Sequence, residues 1–339
     1  VIGRILRRLG WSVGVLWAVV TITFVIDAVL PGDPARMAAG PQASAADVAR
    51  IGRTLGLDRP APVRYVLFWR RLVHVGPSVV GREPGDPHAT CAVVGAIGGA
   101  ALHVDLGKSF QMRQPVVDVV VPRLGRTMAL ACAALLVQLA IGLLSGTLAA
   151  ARKGSWLDRA LVSGGLVGLS LPTFLIALGL QYVVAYRLRW LPLDGFGVSM
   201  LDHVRCVVLP ALTLGIYGAA YYTRLVRDEV AALLTTPWVR TARAKGASGA
   251  SVLFVHALRN GLLPVVTMAG LDFGALLGGA IVTETVFRWP GIGELSVRAT
   301  MNRDGPVLAA CVIVTSVAVV AANLIADALC TRLDPRLRS

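Results

Sequence analysis

Residues Thr127–Ala151 read TMALACAALLVQLAIGLLSGTLAAA, with no Asp, Glu, Lys or Arg in the whole stretch. A helix needs about 20 such residues to cross the hydrocarbon core of a bilayer, so this run predicts a membrane span. Working outward, further uncharged runs cover Leu9–Ile26, Ala160–Tyr186, Cys206–Thr223 and Gly305–Ala326, and Asn260–Thr283 is interrupted only by Asp272. Strand-sized alternation is absent, which argues against a barrel. The expectation is an all-α polytopic membrane protein with six transmembrane helices.

Composition agrees. Of 339 residues, 55% are hydrophobic and only 15% charged, with a mean hydropathy of +0.69. A soluble domain carries about 25% charged residues. Low charge excludes a disordered chain, and five cysteines in 339 residues exclude a disulfide scaffold. The net charge of +14 points to topology and not to nucleic acid, because the basic residues lie between the apolar runs and form no single face. With the N-terminus inside, Arg4, Arg7, Arg8, Arg152, Lys153 and Arg159 join those of 224–259 and of the tail on the cytoplasmic side. Cytoplasmic segments then hold 15 Lys and Arg, against six in the two short outer loops, the pattern that orients helices. The apolar run after Arg8 is too long for a signal-peptide core and reads as a retained anchor.

The long segment Pro31–Arg126 is assigned to the outside. Ser44 and Asp47 mark a helix start, followed by Val48, Ile51 and Leu55 at helical spacing. Val63–Val75 sets Tyr65, Phe68, Trp69 and Leu72 beside Arg64, Arg70 and Arg71, which suits a helix on the membrane surface. Cys91–Leu102 is uncharged but too short to span, and reads as a surface loop or re-entrant piece. Cys91 and Cys206 are placed on the same side, where a pairing is open to them; Cys132, Cys311 and Cys330 read as small apolar helix residues.

Catalytic chemistry is not visible in the chain. Gly107-Lys108-Ser109 resembles the end of a phosphate-binding loop, but Leu102 stands where that loop needs glycine. His74, His88, His103, His203 and His256 show no metal-ligand spacing, and neither HExxH nor GxSxG occurs. No metal site and no enzyme activity are expected.

The informative stretch lies between the fourth and fifth spans, Arg224–Arg259. Thr235–Ser248 reads TTPWVRTARAKGAS. Pro237 suits a first helical position and Gly246 a C-terminal cap, so Trp238–Lys245 is predicted as a short helix, followed by a second helix returning to the membrane. The result is a knob fitted to a partner's groove, with Ala242 allowing close approach and Arg243 and Lys245 at its rim.

This stretch resembles the EAA loop of ABC importer permeases, whose consensus is E-A-A-x3-G-x9-I-x-L-P. Aligned on Gly246, those positions hold Arg240, Thr241, Ala242, Gly246, His256, Leu258 and Arg259. Arg replaces the acid, Thr the first Ala, His the Ile and Arg the Pro. The combination RTARAKG with HALRNGLLP (His256–Pro264) is similar to the dipeptide/oligopeptide branch, which also contains nickel and glutathione permeases. Further matches in family order are Leu30–Pro34, Leu55–Pro60, Asp105–Ser109, Ser155–Arg159, Leu169–Pro172, Phe273–Ala280, Glu284–Phe287, Trp289–Gly291 and Leu333–Arg336. The first-permease (B-type) subunit is the nearer pattern; roughly Pro77–Leu102 departs from it as an insertion.

The resemblance implies a type I importer permease in the bacterial cytoplasmic membrane, both termini cytoplasmic. Its partners would be a second homologous permease, two ATPase subunits and an extracytoplasmic solute-binding protein, within the lipid bilayer. ATP and Mg would belong to the ATPases, leaving this chain without a cofactor. The implied organisation is residues 1–30 (N-terminus and first span), 31–126 (outer segment), 127–331 (core, with coupling loop 224–259) and 332–339 (tail). Coupling to the ATPases would fall to Trp238, Arg240, Thr241, Ala242, Lys245, Gly246 and Ser248, with Ala242 and Gly246 as buried small residues. Gly270, Gly274 and Gly278 form a small-residue stripe that either packs against a neighbouring helix or faces the partner permease or the path. Asp272, the one acid within a span, either meets a substrate amine, makes a structural polar contact or is simply protonated. Trp289, Pro290 and Gly291 would contact the binding protein. Di- and oligopeptides are the expected cargo. Nickel or glutathione import is the alternative, and an ion-coupled secondary transporter a more distant one, since no inverted repeat is visible.

Overall fold

Pro172 decides the first departure from a simple count of apolar runs. The run Ala160–Tyr186 is not one helix in the computed structural model, which describes residues 2–29, 34–40, 42–54, 56–77, 90–97 and 100–333. It consists of Trp156–Ser170 and Thr173–Arg187, bent by 101°. Proline lacks a backbone N–H and drives the preceding residue out of the helical region; Leu171 accordingly sits at φ −80°, ψ 134°.

In chain order the helices are α1 (Ile2–Val29), α2 (Pro34–Ala39), α3 (Ala45–Thr54) and α4 (Ala61–Leu72), then, after three strands, α5 (Val116–Ala151), α6 (Trp156–Ser170) and α7 (Thr173–Leu180). A π-helical segment, Gln181–Arg187, extends α7. Next come α8 (Met200–Leu233), α9 (Pro237–Ala244), a π-helical Ser251–Leu258 running into α10 (Arg259–Gly279), α11 (Ile281–Val286), α12 (Ile292–Met301) and α13 (Gly305–Leu333). Among the described residues, four helical stretches are long and apolar enough to span a membrane: Val116–Ala151, Met200–Leu233, Ser251–Gly279 and Gly305–Thr331. The bent pair makes a fifth if it counts as one span, and Gly10–Ile26 is a shorter apolar stretch. The chain is therefore a mostly helical membrane protein with four or five spans among its described residues by this measure; the six runs read from the sequence are mostly helix, with breaks at Leu171-Pro172 in the third and at Ala280 near the end of Asn260–Thr283.

Local chemistry sets several helix starts. Ser155 caps α6 by accepting the Asp158 N–H, and Ser199 with Asp202 forms a reciprocal capping box at α8. Ser44 accepts the Asp47 N–H at 3.2 Å, so the start read from the sequence for α3 is present. Arg50 and Ser44 hold the Asp47 carboxyl below the usual carboxylate range.

The chain divides into two compact units. The first comprises 1–125 with 291–317. It contains a three-stranded antiparallel sheet, β1 (Val73–Pro77), β2 (Cys91–Ile97) and β3 (Ala100–Asp105), in the order β1-β3-β2. This corrects the expectation for Cys91–Leu102: its described residues, 91–97 and 100–102, are strand, not a surface loop or re-entrant piece. Val93, Val94 and Ile97 are β-branched and favour the pleat, and pairing with β3 satisfies a backbone that a loop would leave to water. It also ends α4 at Leu72, before the Val75 limit read from the sequence. Val116, Val120, Ile292, Leu295 and Val307 form one apolar cluster of this unit.

Two polar links tie the unit together. Asp304 accepts the Ser109 hydroxyl at 2.5 Å and the Phe110 and Gln111 N–H groups at 3.2 Å each. Arg71 pairs with Asp105 at 2.8 Å. Burial pushes the Asp105 carboxyl up, but Arg71, with hydrogen bonds from Thr90 and the Gly107 N–H, outweighs it and holds the group below the usual range.

The second unit comprises 126–290 with 318–339. Its core gathers Leu130, Ala134, Leu214, Leu277, Trp289 and Ala322 in one cluster, and Tyr222, Val226, Val230, Ala257 and Val265 in another.

Candidate functional site

The stretch that sequence reading marks for coupling is built as a small, sharply ended helix. α9 begins at Pro237, whose missing N–H is one of the donors that a first turn leaves unsatisfied anyway. It ends in a Schellman motif: the Ala247 N–H donates to the Ala242 carbonyl at 3.1 Å and the Gly246 N–H to the Arg243 carbonyl at 2.9 Å. Gly246 sits at φ +85°, the left-handed region that side-chain-bearing residues enter at a cost. Ser248 then accepts the Ser251 N–H at 3.3 Å and opens the next helix. Two turns of helix and a fixed reversal make a compact body.

Its faces are unequal. Val239 is buried and anchors α9. Trp238 lies edge-on to His256, with ring centroids 6.2 Å apart. Arg240, Thr241, Arg243 and Lys245 are exposed, and Ala242 is half-buried. The small residues expected to be buried in the ATPase contact differ in the chain by itself. Gly246 is exposed and a Cβ built on it meets nothing within 4 Å, so its backbone angle, not a close neighbour, demands glycine.

The stripe on α10 is only partly a packing seam. A Cβ on Gly270 would stand 2.4 Å from the Ala326 Cβ, and one on Gly274 would stand 2.6 Å from Asn323 Oδ1. Gly278 has open space. Asp272 accepts a hydrogen bond from the Tyr222 hydroxyl at 3.1 Å, so its carboxylate has a protein partner.

Trp289 is 2% exposed. Its indole N–H donates to the Arg126 carbonyl at 3.1 Å, and its ring meets Phe196 edge-on at 5.0 Å. As placed, this side chain holds the turn rather than presenting a contact. Pro290 is half-buried, and Gly291 is the N-cap of α12. The neighbouring Arg288 is the exposed member, 80% open at the side chain and with φ +47°. Nearby, Glu284 is fully buried and accepts the Thr127 hydroxyl at 2.7 Å.

Sequence reading missed a close helix contact. Cβ atoms built on Gly142 and Gly146 would stand 2.3 Å from the Tyr222 Cβ and 2.7 Å from the Thr223 carbonyl oxygen, so α5 and α8 touch nearly backbone to backbone. The signal was present, since Gly142 and Gly146 have the GxxxG spacing. Also missed was Asp158, buried at the start of α6 and paired with Arg227 at 2.9 Å.

Comparison with known proteins adds the following. The family model described as "Binding-protein-dependent transport system inner membrane component" matches residues 138–339, and one for the N-terminal part of such membrane components matches 1–131. The chain is 35% identical over 338 residues to a putative peptide transport system permease protein of Brucella abortus (strain 2308), covering 98% of both. It is 35% identical over 334 residues to a glutathione transport system permease protein of Salmonella paratyphi A, again covering 98% of both. Among solved structures, a chain of the MetNI methionine ABC transporter in an inward-facing conformation superposes with a TM-score of 0.54 at 17% identity. That match covers 65% of this chain and 98% of the other, and shows a shared fold.

Proposed function

The chain belongs to the binding-protein-dependent transport system inner membrane component family, and on that premise we propose that it carries short peptides. It is a permease subunit of a binding-protein-dependent ABC importer. The observation that carries the peptide reading is the similarity, over 98% of both chains, to a permease named for peptide transport. Glutathione, itself a tripeptide, is the second reading, favoured by the equally long match to glutathione permeases.

In this reading the permease pairs with a second, homologous permease in the bacterial cytoplasmic membrane, and both termini face the cytoplasm. The excess of Lys and Arg on that side supports the orientation. Two ATPase subunits bind ATP and Mg, and an outer binding protein delivers the cargo. When the ATPases close, Pro237–Ser248 transmits the motion. A body that remains docked in both states must be stiff, and the proline start and Schellman end of α9 supply that stiffness. Exposed Arg240, Arg243 and Lys245 add steering rather than much affinity, since exposed ion pairs contribute about 0–1 kcal/mol.

The test is uptake by proteoliposomes holding the chain with its co-purified subunits. ATP-dependent uptake of a labelled dipeptide or tripeptide, competed by other peptides, is the expected result. Uptake of glutathione that peptides do not compete would move the assignment to the second reading.

A further inference from the structure

The sheet of the first unit brings together three side chains that the transport reading does not use. β3 is its central strand, with His103 directly opposite His74 of β1. Cys91 of β2 lies opposite Asp105, two residues along from His103. Positions two apart share a face of a strand, so His74, Cys91 and His103 meet on one side of the sheet. One ligand atom from each falls within 4.8 Å of the others. We propose that His74, Cys91 and His103 form a binding site for zinc, with the fourth tetrahedral position left to water or another small ligand.

The distances suit the ion. Zinc takes sulfur at about 2.3 Å and imidazole nitrogen at about 2.0–2.1 Å, so a tetrahedral site separates sulfur and nitrogen by about 3.6 Å. Cys91 Sγ and His74 Nε2 stand 3.7 Å apart. A ring nitrogen of His103 lies within 4.8 Å of both, so closing the triangle to zinc spacing takes a contraction of at most about 1.5 Å.

The imidazoles are also held as metal ligands are held. His74 Nδ1 is 3.0 Å from the Arg71 carbonyl, and His103 Nε2 is 2.9 Å from the Pro77 carbonyl. A carbonyl only accepts, so each of those nitrogens carries the proton. The lone pairs are therefore on His74 Nε2, which faces the Cys91 sulfur, and on His103 Nδ1, which is buried. Backbone carbonyls that fix the tautomer from behind are the usual support of zinc-binding histidines. Burial fits as well: His103 is 0% and Cys91 7% exposed. His74 is half-buried and leaves a path for entry. Asp105, on the same face, is committed to Arg71 and to the Gly107 N–H, each at 2.8 Å. Binding exchanges the thiol proton of Cys91 for the ion and releases that proton to solvent; both imidazoles bind neutral.

The test uses the full-length, tag-free chain, purified in mild detergent with its co-purifying subunits and stripped by a chelator. Cobalt(II) serves as the probe, since it occupies tetrahedral zinc sites and reports thiolate ligation by a charge-transfer band. One cobalt per chain with that band, displaced by zinc and absent in Cys91→Ser, is the expected result. His74→Gln alters a half-exposed side chain and should weaken cobalt binding at least ~10-fold with assembly unchanged. The proposal is overturned by a titration without the thiolate band, by a band that survives Cys91→Ser, or by unaltered affinity in His74→Gln.

Discussion

The Tyr222 hydroxyl on α8 donates to Asp272 Oδ2 on α10 across 3.1 Å, joining two helices through the acidic side chain that interrupts the apolar run Asn260–Thr283. An acidic side chain in such a place costs about 2.5–3.5 kcal/mol on insertion scales, and a donor aimed at it offsets part of that. Tyr222→Phe keeps the ring and removes the donor. Thermal unfolding in detergent should then show a loss of about 1–3 kcal/mol. Asp272→Asn keeps an acceptor for Tyr222 and should leave uptake within about twofold, a difference worth under ~0.5 kcal/mol. A tenfold fall in Asp272→Asn would place the carboxylate in the substrate path instead.

The same tyrosine packs against α5 at Gly142. A methyl group on Gly142 lands 2.3 Å from the Tyr222 Cβ, and neither atom can move without its backbone. Gly142→Ala should destabilise the second unit by about 1–3 kcal/mol. Gly278→Ala has nothing within 4 Å and should change stability by less than ~0.5 kcal/mol. Equal melting points for the two variants would remove the packing argument.

In the first unit, Asp304 serves three donors, Ser109 Oγ and the N–H groups of Phe110 and Gln111. Asp304→Ala strands the buried Ser109 hydroxyl and frees the loop. Limited proteolysis should then cut near Phe110–Arg113, and stability should fall by about 2–3 kcal/mol. An unchanged digestion pattern would mean that the loop is held elsewhere.

Much of this was legible in the sequence, and the reason is physical. A bilayer demands about 20 uncharged residues per crossing, so the runs announced the helices without any knowledge of packing. Pro237 and Gly246 announced the ends of α9 because each residue has a backbone consequence of its own. Counting charge is blind to the backbone, however, so the bend at Leu171-Pro172 was absorbed into one long run. β2 was missed because CAVVGAI is apolar on both faces and carries no period-two signal. The cluster of His74, Cys91 and His103 was illegible for a different reason. Its spacing in the chain means nothing until the register of three antiparallel strands sets the residues side by side.

Gly246 is the residue on which the coupling argument narrows. Its φ of +85° costs about 1–2 kcal/mol for a residue with a Cβ, less for Asn than for Ala, and most for a β-branched residue. The expected order of ATP-dependent uptake is Gly, then Asn, then Ala, then Val. Membrane insertion should be equal throughout, because no neighbour lies within 4 Å to clash.

The most direct measurement is co-purification of ATPase subunits with the tagged chain in mild detergent, comparing the natural sequence with Gly246→Val. The account predicts that the natural chain brings down a second, homologous permease and ATPases, and that Gly246→Val retains the permease while losing most of the ATPase. Full ATPase recovery with Gly246→Val, or a natural chain that purifies alone where related complexes survive, would contradict it.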